Sequence, residues 1–446
     1  MKKKTGITTL PGNASPRNPT LPGNATLLSG ALKPANPEIG VPGGTANHPG
    51  AAVKKGWQTK TLGAVCEVMN GGTPKTGVPE YWDGSYLWIT PAEMGKLLSP
   101  YVSDTERKIT DLGLRNSSAQ MLPPNSVILS SRAPIGHLVI NTEPMATNQG
   151  CKGLIPGSQL QHKFLYYYLS STVDLLNSLG TGATFKELSG GKLKEVTIPV
   201  PPLPEQRRIV GILDETFAGI ATAKANAEKN LQNARALFES HLHSVFTHRG
   251  KGWVEKRLEE IGTTQTGSTP KTSDRANYGD FIPFVKPADF NTDGSLDYDN
   301  DGLSEKGLAE ARNIAAGSVL MVCIGATIGK CGYCEHNITT NQQINALTPF
   351  KDVSYKFVYY QMLTEDFQRR IFLSSAQATL PIINKSKWSA LTVALPPALK
   401  EQKRIAAKFD ALQEETQRLG RLYERKLAAL EALKKSLLHQ AFTGEL

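Results

Sequence analysis

The feature that most constrains this 446-residue chain is an internal duplication. Gly56-Trp57 returns 196 positions later as Gly252-Trp253, Leu62 as Leu258, and Gly71-Gly72-Thr73-Pro74-Lys75-Thr76 as Gly267-Ser268-Thr269-Pro270-Lys271-Thr272. After small insertions the shift becomes 193, which aligns Thr147-Asn148-Gln149 with Thr340-Asn341-Gln342 and Phe164-Leu165-Tyr166-Tyr167 with Phe357-Val358-Tyr359-Tyr360. It returns to 196 for Glu205-Gln206-Arg207-Arg208-Ile209 and Glu401-Gln402-Lys403-Arg404-Ile405, and for Phe246-Thr247 and Phe442-Thr443. A solenoid unit has a period of about 20 to 50 residues. Each copy is therefore a domain with an appendage, and two copies imply a pseudo-twofold molecule.

Within a copy, Gly, Pro and Asn turns alternate with short apolar runs such as Ser126-Val127-Ile128-Leu129 and Ser318-Val319-Leu320-Met321-Val322, which suit buried strands. Residues 164–179 and 355–373 read as single amphipathic helices. A proline pair then stops regular structure, and Glu205 or Glu401 falls in the first turn of the next segment, where negative charge favours a helix start. From 204 to 246 and from 401 to 442 apolar residues recur at helical spacing. The second series, Ile405, Phe409, Leu412, Leu419, Tyr423, Leu430, Leu433 and Leu437, has the steps of a coiled-coil seam. Helices of this length run ~60 Å, and single apolar stripes need a partner, so an antiparallel pair is expected. The fold class is α+β, with two tandem mixed α/β domains, each followed by a long helix.

Charge excludes less than its total suggests. The net formal charge is +10, but residues 1–55 carry +6 of it and residues 400–446 another +3, leaving 56–203 at +1 and 247–399 balanced. Any surface for a polyanion on the domains must be local. Cys66, Cys151, Cys323, Cys331 and Cys334 form no disulfide framework of a small secreted domain, and no apolar stretch approaches the ~20 residues of a membrane span. A cytoplasmic protein is expected. Residues 1–55 are rich in Pro, Gly, Asn and Ala, repeat Leu-Pro-Gly-Asn-Ala, and read as disordered.

The Gly-Gly-Thr-Pro and Gly-Ser-Thr-Pro turns, the Pro-Pro-x-x-Glu-Gln helix starts and the closing Leu438-His439-Gln440-Ala441-Phe442-Thr443-Gly444-Glu445-Leu446 resemble the specificity subunit of type I restriction-modification systems, over residues 56–446. The resemblance implies target-recognition domains at 56–203 and 247–399, and spacer helices at 204–246 and 400–446. It implies that each domain reads half of an interrupted double-stranded DNA site, without an active site in this chain. It implies two methyltransferase subunits and restriction/translocase subunits as partners, with S-adenosylmethionine, ATP and magnesium bound by them. A rigid helix pair suits readers that engage grooves about one turn, ~34 Å, apart.

Several residues are candidates for DNA contact. The turns at Thr73-Pro74-Lys75 and Thr269-Pro270-Lys271 offer amides, hydroxyls and an ammonium to phosphates, or are plain tight turns with solvated lysines. Asn148-Gln149 and Asn341-Gln342 carry amides of the type that bind adenine. They equally suit buried structural roles, and their recurrence in domains expected to read different half-sites favours the latter. Base readers should differ between copies, as do Arg132 (against Gly325 or a neighbour), Lys186 (against residues 379–381) and Lys330 (against His137). Gly325-Ala-Thr-Ile-Gly329-Lys330-Cys331 lacks the spacing and the hydroxyl of a phosphate loop. Cys331, Cys334 and His336 supply three zinc ligands without a fourth, which favours reduced core cysteines.

Two other classes stay open at this level. A self-contained methyltransferase or nuclease would need motifs and chain length not found here, and a coiled-coil scaffold would leave the duplicated turn-rich domain unexplained. The basic tail departs from the family's usual form and is either an artefact of start choice or a tether adding nonspecific DNA affinity. If it is a tether, deleting residues 1–50 should flatten the salt dependence of DNA binding, whereas an unchanged slope rules the tether out.

Overall fold

A computed structural model describes residues 54–182, 186–375 and 381–446. The expected disordered extension, apart from Lys54 and Lys55, lies outside the described residues, as does Thr379. The fold divides into two compact units, one of residues 54–232 with Gly420–Leu446, the other Asn233–Leu419. This division does not follow the repeat, because each unit takes its domain, the start of the helix that follows it, and the end of the other long helix.

In the first unit, β1 (Gln58–Thr61) pairs antiparallel with β10 (Thr197–Val200), so the first and last strands of the domain lie together. Between them are β2 (Cys66–Asn70), β3 (Trp82–Ile89), β4 (Tyr101–Val102), β5 (Arg107–Ile109), β6 (Val127–Ser131), β7 (Ile135–Asn141), β8 (Met145–Thr147) and β9 (Cys151–Pro156). The main sheet has the order β2-β9-β6-β7-β4 and a smaller one the order β5-β3-β8. The central strand β6 is buried throughout, and its alternation divides two cores. Val127 and Leu129 join the cluster of Phe164, Leu165 and Leu169, while Ile128 joins Ile89 and Met145.

The second unit repeats this topology. Its strands are β11 (Val254–Arg257), β12 (Gly262–Thr266), β13 (Tyr278–Val285), β14 (Gly302–Leu303), β15 (Ser318–Val322), β16 (Cys331–Cys334), β17 (Thr339–Thr340), β18 (Ile344–Pro349) and β19 (Thr392–Leu395). They form β12-β18-β15-β16, β14-β13-β17 and β11-β19. Among the described residues there is no counterpart of the edge strand β4. The central β15 again splits its side chains, Val319 and Met321 to one core, Leu320 and Val322 to the other.

The helices expected at 164–179 and 355–373 are each two helices. His162–Ser171 stops at Thr172, whose hydroxyl bonds the carbonyls of Tyr168 and Leu169, and Val173–Leu179 follows. Tyr355–Met362 stops before Thr364, which caps Glu365–Ser374 by accepting from the Phe367 amide. In both places a threonine hydroxyl competes for backbone groups and breaks the helix, a local choice that hydrophobic periodicity does not register.

The two long helices span Leu203–Thr247 and Leu399–Thr443. Each is held to its domain by a buried glutamine in its first turn. Gln206 is 0% exposed; its Oε1 accepts from the Gln161 amide (2.9 Å) and its Nε2 donates to the carbonyls of Gln159 (2.9 Å) and Pro201 (2.8 Å). Gln402 accepts from the Ser354 amide (2.9 Å) and donates to Asp352 and Pro396. Two turns later Asp214 takes Lys163 (2.7 Å) and the Tyr167 hydroxyl, and Asp410 takes Lys356 (3.1 Å) and the Tyr360 hydroxyl (2.6 Å).

Within the first unit the helices run antiparallel. Arg208 donates to the Leu446 carbonyl (2.6 Å), Lys434 lies over the Phe217 ring (5.4 Å), Lys224 pairs with Glu431 (2.7 Å), and Leu231 lies beside Gly420. Residue numbers rise on one helix as they fall on the other. Phe442 packs edge-on against Phe164 and Tyr168 of the first domain, and in the second unit Phe246 packs on Phe357 and Phe409. The expected seam holds at Ile405 and Phe409 but not at Leu433, which is 44% exposed. The neighbouring Lys434 instead sets its ammonium 5.4 Å from the Phe217 ring centroid, and the buried positions continue at Leu438, Ala441 and Phe442.

Replacing Gln206 or Gln402 with Leu strands one amide and two carbonyls out of reach of water. Each change should destabilise its unit by about 1–3 kcal/mol or more, read as a lowered midpoint in denaturant unfolding. A neutral outcome means that the clamp contributes nothing.

Candidate nucleic-acid interface

The two repeated motifs that stand 75 residues apart in sequence touch each other in space. After β2 the chain crosses the segment between β8 and β9. The Gly71 amide donates to the Cys151 carbonyl (3.1 Å) and the Gly72 amide to the Thr147 carbonyl (2.9 Å). The crossing is so close that a Cβ on Gly71 would lie 2.0 Å from the Asn148 carbonyl oxygen, so only glycine fits. Thr73 then receives the Asn148 Nδ2 (3.0 Å), while Asn148 Oδ1 accepts from the Gly150 amide (2.8 Å).

The second domain builds the same crossing. Gly267 donates to Ile344 and Ser268 to Thr340, and a Cβ on Gly267 would lie 2.1 Å from Thr340 Oγ1. Here Thr269 donates to Gln342 Oε1 (2.5 Å), and Asn341 bonds Gln343 through both ends of its amide. Asn148 and Asn341 thus spend their polar atoms within the domain, whereas Gln149 and Gln342 are exposed.

Lys75 and Lys271 end these turns. Their carbonyls are used, by Trp82 Nε1 (3.3 Å) in one domain and by Asn277 Nδ2 (3.4 Å) in the other. Both side chains are exposed and carry no salt bridge among the described residues. Beside the second turn stands a cation that sequence reasoning missed. Arg312 donates from its amide to Ser268 Oγ (3.0 Å) and from Nη1 to the Thr266 carbonyl (2.7 Å). Only its place in the fold reveals it, since it lies 41 residues beyond Lys271 in the sequence.

Of the residues that differ between copies, Arg132 packs over Gly150, directly behind the first crossing, and its Nη1 stands 3.7 Å from Glu187. Lys186 is exposed next to Glu187. Lys330 is half-buried with its Nζ 3.4 Å from the Pro287 carbonyl, and burial lowers its pKa. Cys331 and Cys334 point into different cores from opposite faces of β16, which removes them as joint zinc ligands. Burial pushes both thiols up. Among the described residues no group of three His, Cys, Asp or Glu side chains is arranged to hold a metal ion.

The family described as "Type I restriction modification DNA specificity domain" matches twice, at residues 54–232 and 250–425. The chain belongs to this family. Among its specificity-subunit relatives, the MjaIX subunit of Methanocaldococcus jannaschii is 33% identical over 250 residues, 52% of this chain and 58% of that protein. A type I specificity subunit of Escherichia coli is 35% identical over 163 residues, 35% of this chain and 40% of that protein. These alignments thus span less than two thirds of either relative. The StySPI subunit of Salmonella potsdam is 21% identical over 88% of this chain and 89% of its own.

Two solved structures share this fold. One, from work on complex assembly and conformational transition of the type I R-M system, covers 89% of this chain and 100% of its own with TM-score 0.68 at 21% identity. The other, the HsdS subunit from Thermoanaerobacter tengcongensis, covers 90% and 100% with TM-score 0.60 at 20% identity.

If the crossing turns meet phosphates, Lys75→Ala and Lys271→Ala should each weaken DNA binding about equally for all sequences and lower the salt slope by about one. Loss confined to one base pair would assign the lysine to base reading instead, and no loss would leave it solvated.

Proposed function

We propose that this chain is the sequence-reading, noncatalytic subunit of a type I restriction-modification complex, each domain contacting one half of a bipartite double-stranded DNA site. The observation that carries this reading is the contrast between the two crossings. Their backbone crossings, their first glycines and their Thr-Pro-Lys turns are the same, while the charged groups around them differ: Arg132 and Glu187 in one, Arg312 in the other. A shared frame with changed side chains is what two readers of different half-sites need.

The long helices, each anchored at its first turn, set the spacing between half-sites and dock two modification subunits. Translocating restriction subunits complete the complex. S-adenosylmethionine, ATP and magnesium are handled by those partners. No helix among the described residues is long and apolar enough to cross a membrane, in keeping with a cytoplasmic site of action.

The test is to express the chain with its modification partner, map methylated positions in the cellular DNA, and footprint the purified complex. The expected result is an asymmetric motif with two protected blocks separated by an unspecified gap. Protection of one contiguous tract, or methylation by the chain alone, overturns the reading.

A further inference from the structure

Lys152 lies on β9 in the middle of the first domain's main sheet, opposite Asn70 on β2 and Leu129 on β6. It is only 5% exposed, yet its ammonium makes no hydrogen bond among the described residues. Its one counter-charge is Glu187, with Oε1 3.9 Å away. Glu187 also serves Arg132 at 3.7 Å, so two cations face a single carboxylate, and neither pair is within hydrogen-bonding distance. Burial lowers the Lys152 pKa, against the pull of Glu187.

A nearly buried ammonium whose counter-charge lies beyond hydrogen-bonding distance is costly. The side chain is not sealed, however: 7% of its surface remains exposed. Arg132, which shares Glu187 with it, packs over Gly150, and the Gly150 amide bonds Asn148 at the Thr73–Asn148 crossing.

The second domain holds the same three backbone positions with different chemistry. The bridge between Arg132 and Glu187 is matched by one between Ile324 and Ile382. Lys152 is matched by Asn345, which sits at the same register, opposite Thr266 and Met321. Asn345 is satisfied internally, accepting from Thr266 Oγ1 (2.8 Å) and donating to Cys323 Sγ (3.2 Å). Arg–Glu–Lys in one domain thus stands where Ile–Ile–Asn stands in the other. A role in folding alone does not explain an unfilled charge that the sister domain dispenses with.

We propose that Lys152, together with Arg132, forms a recessed donor site, particular to the first domain, for an acceptor-rich group of DNA: the O6/N7 edge of a guanine or a phosphate oxygen. Glu187 holds the two cations apart and neutralises part of their charge until the acceptor arrives. The inference rests on the DNA-reading function proposed above.

The experiment uses the chain assembled with its modification partner and a duplex carrying the methylated motif it produces in cells. Wild-type binding comes first; if no duplex is bound specifically, the functional reading itself fails. Given wild-type binding, Lys152→Met should reduce affinity roughly ten- to hundred-fold. Loss of discrimination at a single base pair identifies a guanine edge. A uniform loss, with the salt slope lowered by about one, identifies a phosphate. Removing an unfilled buried charge should leave the thermal midpoint unchanged or higher, so a fall in midpoint parallel to the loss of binding makes Lys152 a structural residue and overturns the proposal. Glu187→Gln tests the site without touching Lys152 and should raise affinity several-fold. Wild-type affinity in both variants also overturns it.

Discussion

A long helix leaving a globular domain swings freely unless something inside the domain holds its first turn, and here the holding group is a glutamine with no access to water. Gln206 ties together two separate pieces of backbone, at Gln159 to Gln161 and at Pro201, and Gln402 does the same at Asp352 to Ser354 and at Pro396 in the other unit. One fixed point does not set a direction. The second is the aspartate eight residues on, about 12 Å along the helix, where Asp214 and Asp410 each gather a lysine and a tyrosine from the domain. The surrounding desolvation raises the tyrosine pKa values, Tyr167 and Tyr360 alike, so these hydroxyls remain donors at any physiological pH. The repeated Glu-Gln-x-Arg-Ile and Phe-x-Tyr-Tyr segments are the two sides of this joint.

Most of the architecture was legible because it is written twice. The duplication marks the domains, the proline pairs mark where helices begin, and the apolar steps announce that two long helices need partners. What escaped was everything decided by contact between distant segments. The Gly-x-Thr-Pro turn and the Thr-Asn-Gln segment each look like an independent surface motif, and nothing in their spacing says that one lies across the other. The helix breaks at Thr172 and Thr364 turn on single hydroxyls. Leu433 fits the apolar steps but lies exposed, while the ammonium of Lys434 stands over the Phe217 ring. Lys152 is a lone charge in an otherwise apolar strand, a signal visible in Cys-Lys-Gly-Leu-Ile once the strand is known to be central.

The comparison of copies separates two kinds of residue. Those that recur with identical bonding, such as the glycines at the crossings and the buried glutamines, maintain backbone geometry. Those that occupy matched positions with unlike chemistry are free of that duty. Arg132, Glu187 and Lys152 against Ile324, Ile382 and Asn345 is the sharpest such exchange. Charge is therefore local on domains that are nearly neutral in sum, which reconciles the segment balance with a polyanionic partner.

The division of the long helices between the units bears on how the chain is made. Leu438, Ala441 and Phe442 complete the core around Phe164, Tyr168, Ile209 and Leu213, yet they leave the ribosome after the whole of the second domain. At about 5–20 residues per second, the first domain waits on the order of 10–40 s with that apolar groove uncovered. The second unit, Asn233–Leu419, is continuous in sequence and closes as soon as it emerges. The domain synthesised first is thus the last to be finished.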